Sequence, residues 1–453
     1  MLTDTATTSG DAALKQKVSS LMSTLKSDLC DLVRIRSARD GATTEAAKKV
    51  VELLKGAGVG NATTVDLGSG RAPLVHGSVT GRTGKPTVLL YAHYDVQPAG
   101  SWTETEAFTP TEVNGRLRGR GAADDKSGIM MHVGALRAFD NNPPVNLEIL
   151  IEGEEESGTG SLEEYLAKPE NKDRFKADAY VVADTGGVAV GRPALTATLR
   201  GIAQADVTVR TLDAPVHSGM YGGPAPDAFM ALSRILATLH DGKGDVAVEG
   251  LLSKPWTGAD YPDETTYRQN AGVRSGVPLI GTGSVAQRLY FKPSINVTGL
   301  DGAPPPVHQS LNALRSEATA RVSIRLAPGQ KPADAFAALR RHIDQHRPWS
   351  LPVEVTYAGG GEGFEARTGS TTFAKAQAAL QEAYGQGPTT LGQGGSIPLV
   401  NLLQARKPDA PVLLWGCEEP AARIHAPGES VHLGELERMT LAQALFLKAL
   451  SQQ

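Results

Sequence analysis

Cysteine is nearly missing from this 453-residue sequence, with Cys30 and Cys417 the only two. Two thiols cannot build a disulfide framework or a tetrathiolate zinc site, and their scarcity fits a reducing, cytoplasmic setting. Excess charge of one sign is missing as well: 45 basic residues stand against 49 acidic ones, for a formal charge of -4. No long run of either sign occurs, so nucleic acid and an anionic membrane are poor partners. Long apolar runs are absent, and the N-terminal stretch has no basic segment followed by an apolar one. The reading is therefore no spanning helix and no signal peptide. The 50 glycines and 28 prolines are scattered between periodic segments, which leaves no low-complexity tract and no evident repeat.

What is present is periodicity. The length exceeds one ordinary core and points to two or three domains, at about 150 residues each. Residues 11–36 and 44–58 carry apolar positions at helical spacing. Short apolar runs follow at "TVLLYAH" (87–93), "NLEILIEG" (146–153) and "DAYVVAD" (178–184), separated by the helix-like "KSGIMMHVGALRAF" and "SLEEYLAK". That alternation implies an α/β layer with buried strands. From about residue 198 the texture becomes α+β, with the alternating "ATLRGIAQADVTVRT" and the amphipathic "PDAFMALSRILATLHDG". Near residue 365 the first style returns, with the strand "PVLLWG" (411–416) and a closing helix. We therefore expect a catalytic domain in two parts, 1–197 and 365–453, interrupted by an inserted domain at 198–364. "GGGEG" at 359–363 reads as a hinge or a loop.

Functional residues in open α/β sheets gather where strands end. Here the ends supply His93 and Asp95; Glu154, Glu155 and Glu156; and Asp184. The loop "RGRGAADDKSG" adds Asp124 and Asp125, and the loop after "PVLLWG" adds His425. Burying that much negative charge without a counterion costs several kcal/mol per ion. One divalent cation, or two, would resolve it, and mixed imidazole and carboxylate donors suit zinc, with cobalt or manganese as alternatives. Asp95 is placed to orient the His93 ring, and one acid of "EEE" remains over as a general base. "GRGAADDKSG" is not a phosphate loop, because the lysine-Ser/Thr ending is lacking and two aspartates would repel phosphate. His132, within a helical run, reads as a packed residue.

Seven motifs in order, "AHYDVQP", "GRGAADDKSG", "EGEEESG", the Asp184 strand end, "HSGMYGG", "GGSIP" and "RIHAPGES", resemble the di-zinc metallopeptidase family of carnosinases, bacterial dipeptidases, aminoacylases and glutamate carboxypeptidases. The resemblance implies an α/β zinc-peptidase domain with an inserted α+β lid that also dimerises. It further implies two divalent metals: His93 and Asp184 on one, Glu156 and His425 on the other, and Asp124 bridging, with a cis peptide to Asp125. Glu155 would be the general base, Asp95 would support His93, and His217 would reach a neighbouring subunit's site as an oxyanion donor. Arg325 and Ser396 match positions that hold the substrate's carboxylate.

Within that family, Asp rather than Glu at position 184 favours a dipeptidase acting on small peptides. The alternative is an N-acyl amino-acid deacylase or carboxypeptidase with the same centre. The carnosinase branch ends its lid with a histidine-containing stretch, and "GGGEGFEAR" replaces it here, a departure that touches the carboxylate clamp.

Overall fold

Four of the apolar runs become neighbouring parallel strands. In the computed structural model, which describes residues 3–39, 41–158, 160–171, 173–259, 261–395 and 397–452, they lie in the order Asn146–Glu152, Thr87–His93, Ala179–Val182, Val412–Leu414. Antiparallel strands flank them, Leu74–Val79 beside Asn146–Glu152 and Ala194–Leu199 beside Val412–Leu414. Central parallel strands are covered on both faces and so read as unbroken apolar runs. From Val88 to His93 every residue is buried.

Helices Thr3–Arg34, Lys126–Ala138 and Leu433–Leu450 pack against one another, with Lys126–Ala138 also on the His93 strand. In Lys126–Ala138 every residue but Arg137 is buried, which explains a segment apolar around its whole circumference. Gly134 permits the close approach: a Cβ there would stand 2.7 Å from Thr440 Cγ2 and 2.9 Å from Leu25 Cδ1. His132 is packed here, its Nε2 at 3.0 Å from the Tyr91 carbonyl and its Nδ1 at 2.9 Å from Gln443 Nε2. A carbonyl only accepts, so the ring proton sits on Nε2 and the Gln443 amide donates to Nδ1.

These elements belong to one compact unit, Met1–Ala197 with Ala366–Leu391 and Leu399–Gln453; the other comprises Thr198–Glu365 and Gly392–Pro398. The second unit holds an antiparallel sheet in the order Ser294–Asp301, Glu317–Leu326, Gly201–Arg210, Val353–Gly361. Helices Ala228–Ala237 and Pro332–Gln345 pack on it. Gly201–Arg210 alternates buried and half-buried through its first six positions, the pattern of a strand with one covered face. Asp227 caps Ala228–Ala237 by accepting the Met230 N–H at 2.8 Å.

The glycines at 359–361 differ from the hinge-or-loop reading, because they complete the strand Val353–Gly361. Gly360 is needed there for closeness: a Cβ on it would lie 2.6 Å from the Ile202 carbonyl. No helix among the described residues is long and apolar enough to cross a membrane.

Candidate metal centre

Parallel strands share a carboxyl edge, and the four central ones deliver their following residues to it. His93 is the last residue of its strand, Glu154–Glu156 follow Glu152, Asp184 lies just beyond Val182, and His425 sits in the loop after Leu414. Asp124 arrives from the turn that opens helix Lys126–Ala138, joined to Asp125 by a cis peptide.

Two groups of three result. His93, Asp124 and Asp184 have ligand atoms within 4.8 Å of one another, and so do Asp124, Glu156 and His425. Asp124 belongs to both. Its Oδ1 lies 3.0 Å from His93 Nε2 and its Oδ2 lies 3.0 Å from His425 Nε2. Asp184 Oδ1 is 3.7 Å from His93 Nε2, and Glu156 Oε2 is 3.1 Å from His425 Nε2.

The centre is short of positive charge. Burial disfavours a protonated His93, yet Asp124, Asp184 and Asp95 outweigh it and hold the imidazole well above its usual value. His425 is raised to about 10 by its hydrogen bonds to Asp124 and Glu156. Burial, aided by the charge of Asp124 among others, pushes Asp184 up to about 6, although its hydrogen bond with His93 pulls the other way. Glu155 is pushed up to about 9, by burial first and then by the charge of Asp184. Asp125 Oδ1 and Glu418 Oε1 are buried without a hydrogen-bond partner. Carboxylates that draw protons onto both imidazoles are those a divalent cation would neutralise, and one imidazole with two carboxylates per group suits such an ion.

Supporting contacts set the geometry. His93 Nδ1 lies 3.1 Å from the backbone carbonyl of Asp95 and 3.4 Å from its carboxylate, so the main chain is the nearer acceptor, where the sequence pointed to the side chain. The Asp95 carboxylate instead accepts the N–H of Glu155 at 3.2 Å and of Glu156 at 3.0 Å, fixing the acidic turn against the His93 strand. Gln97 Nε2 holds Glu156 Oε2 at 2.8 Å. Glu154 turns away, accepting the Ala72 N–H and the Ser161 hydroxyl.

Three acids have supporting roles that the sequence reading did not assign. Glu429 accepts the N–H groups of Ala123 and Asp124, each at 3.2 Å, and pairs with Arg120. Asp125 accepts the His93 N–H at 3.2 Å. Glu418 is buried, and burial with the charges of Asp124 and Asp184 holds its carboxyl well above the usual range. Only the pairing of Arg120 in "RGRG" with a distant acid could have flagged Glu429, and nothing local marks which acid.

His217 and Arg325 lie in the second unit. His217 is exposed and caps Ser218–Tyr221, its Nδ1 accepting the Gly219 N–H at 3.1 Å, which leaves the proton of a neutral ring on Nε2. Arg325 is half-buried on Glu317–Leu326, opposite Ser294 and Ile202. Ser396 lies outside the described residues.

The family model for Peptidase family M20/M25/M40 matches residues 89–449. The chain belongs to this peptidase family. A cysteinylglycine-S-conjugate dipeptidase of Corynebacterium striatum is 39% identical over 373 residues, 80% of this chain and 80% of the relative. A Beta-Ala-His dipeptidase of Mus musculus is 29% identical over 344 residues, 71% of this chain and 68% of the relative. The structure of the dipeptidase Dug1p from Saccharomyces cerevisiae is similar in fold, with a TM-score of 0.83 at 24% identity over 98% of this chain and 99% of that one. M20 metallopeptidases work with divalent metals, and in this M20 peptidase the two groups sharing Asp124 are the candidate ligands.

Proposed function

We propose that this M20 peptidase is a dipeptidase that holds two divalent cations, zinc with manganese or cobalt as alternatives. The observation that carries the reading is the division of Asp124, one oxygen toward His93 and the other toward His425. His93 and Asp184 would hold one ion, Glu156 and His425 the other, with Asp124 shared. When bound, the cations supply Lewis-acid polarisation of the attacking water and the scissile carbonyl.

Glu155 belongs to neither group of three, yet its backbone is fixed by Asp95 beside them. It takes a proton from water and returns it to the leaving amine. With Asp184 and Glu156 neutralised, Glu155 loses two of the charges that oppose its ionisation, which moves it toward the carboxylate form a base requires. His217, from a second copy of the chain, donates Nε2–H to the developing oxyanion. Arg325 and Ser396 hold the peptide's free carboxylate, the guanidinium by a two-pronged clamp.

The dipeptidase reading is supported by the relatives' names and by Asp184 in place of glutamate. We place the enzyme in the cytoplasm, with Cys30 and Cys417 as free thiols, as a homodimer through the inserted domain at 198–364, acting on small peptides and on neither nucleic acid nor membrane. Assaying unblocked dipeptides against N-acetyl and N-succinyl amino acids, with metal analysis of the same sample, tests this. Hydrolysis of the acyl compounds alone would assign the deacylase or carboxypeptidase reading instead.

A further inference from the structure

The ring of His93 is aimed by a chain of contacts that begins far away in sequence, at Ser37. Helix Thr3–Arg34 ends just before this serine, which is buried. Its Oγ donates to the Tyr94 carbonyl at 2.6 Å, and its own carbonyl accepts the Val96 N–H at 3.3 Å. Ser37 thus grips the two successive peptide groups on either side of the Asp95 Cα. The second of them carries the Asp95 carbonyl, the oxygen that faces His93 Nδ1 at 3.1 Å. A carbonyl only accepts, so a neutral His93 keeps its proton on Nδ1 and its lone pair on Nε2, the nitrogen 3.0 Å from Asp124 Oδ1.

The same segment is bonded to the turn that carries Asp124. Lys126, two residues after Asp124 and buried, donates from Nζ to the Leu32 carbonyl at 2.9 Å and to the Ile35 carbonyl at 3.0 Å. Leu32 lies in the last turn of its helix, where carbonyls run out of partners within the helix and a lysine ammonium can cap them. Residues 32–37 therefore hold the end of the His93 strand on one side and the Asp124 turn on the other.

We propose that Ser37 is a positioning residue for the cation held by His93, Asp124 and Asp184. With Lys126 it ties residues 94–96 and the Asp124 turn to one brace, residues 32–37, which sets the separation of the two ligand atoms. The inference rests on the reading of that group as cation-binding, and it adds a residue outside both ligand groups. Metal sites tolerate departures of only about 0.2 Å in ligand distance, so a loosened brace weakens the hold on the ion long before the chain unfolds.

Ser37→Ala removes the hydroxyl and leaves every proposed ligand in place. Thr440→Val is the control: Thr440 is buried, its Oγ1 donates to the Leu436 carbonyl at 2.7 Å, and it belongs to neither ligand group. Zinc is withdrawn from the metal-loaded full chains by a chromogenic chelator, and the cobalt(II)-loaded chains are compared by visible absorption. Both variants should melt below wild type, since each loses a buried hydroxyl bond. Only Ser37→Ala is expected to bind zinc about 10–100-fold more weakly and to alter the cobalt spectrum. Unchanged zinc affinity in Ser37→Ala, or an unaltered cobalt spectrum, would overturn the inference. An equal loss in Thr440→Val would overturn it too, by showing a general loosening of the fold. Wild type that binds neither metal would bring down the cation-binding reading itself, and this inference with it.

Discussion

Arg120 and Glu429 meet at 2.7 Å with side chains only 2% and 1% exposed. Because the second oxygen of Glu429 takes the N–H groups of Ala123 and Asp124, this buried pair fixes the main chain at the residue common to both ligand groups. A charge so far from water tolerates no loss of its partner.

Glu429→Ala should therefore cost about 3–5 kcal/mol of folding free energy, because it strands the guanidinium of Arg120. The double variant Arg120→Met, Glu429→Leu should recover much of that loss by replacing the pair with apolar volume. Denaturant midpoints of both variants check this; a double variant no more stable than Glu429→Ala would show that the stranded charge is not the cause.

Asp95→Asn keeps the side chain's shape but replaces one of the two acceptor oxygens that hold the N–H groups of Glu155 and Glu156. Metal affinity should fall by about 10–100-fold, the usual effect of disturbing a group that orients ligands. Competition with a chromogenic chelator measures it, and unaltered affinity would mean that the acidic turn holds its shape without Asp95.

Glu155→Gln removes the proposed base and retains every proposed ligand. Turnover should drop by roughly 10²–10⁴-fold while bound metal per chain stays constant. Wild-type turnover in a fully metallated variant would transfer the proton-handling role to another group.

His132 reports on stability rather than chemistry. Burial holds its imidazole down at about 4 from the ordinary 6.5, against the weaker pull of its bonds to Tyr91 and Gln443. The unfolded chain takes up a proton between those two values and the folded chain does not, so stability from this residue is complete above pH 6.5 and is lost as pH falls through 4. The stability difference between wild type and His132→Gln should shift against wild type by about 2–3 kcal/mol between pH 7 and pH 4.5. A difference that stays constant over that interval would mean that His132 titrates alike in the folded and unfolded chains.

The strand ends are readable in the sequence because a parallel strand must be apolar throughout and then break, so His93 and Asp184 stand at abrupt changes of character. "EGEEESG" shows three acids but not their division of labour. Glu154 departs to Ala72 and Ser161 while Glu155 and Glu156 stay, a choice made by the Asp95 carboxylate across the sheet. Glu429 and Arg120 are 309 positions apart, and no local pattern distinguishes either from a surface charge. The glycines at 359–361 suggest flexibility when read alone, but they pair with a distant strand at Ile202–Gln204, whose Ile202 carbonyl leaves no room for a Cβ on Gly360. Pairings of that kind are set by tertiary packing, which periodicity cannot encode.

The two imidazoles of the centre differ greatly in their access to water. The His93 side chain is 0% exposed and the His425 side chain 53% exposed, so one half of the cluster is sealed and the other opens to solvent. Exchange of the two ions proposed above should accordingly run in two phases, a fast one through the His425 side and a slow one that waits for the sheet edge to breathe. With two ions bound as proposed, a brief exposure to chelator would then yield a half-loaded protein, the ion on the His425 side leaving first because that imidazole faces water.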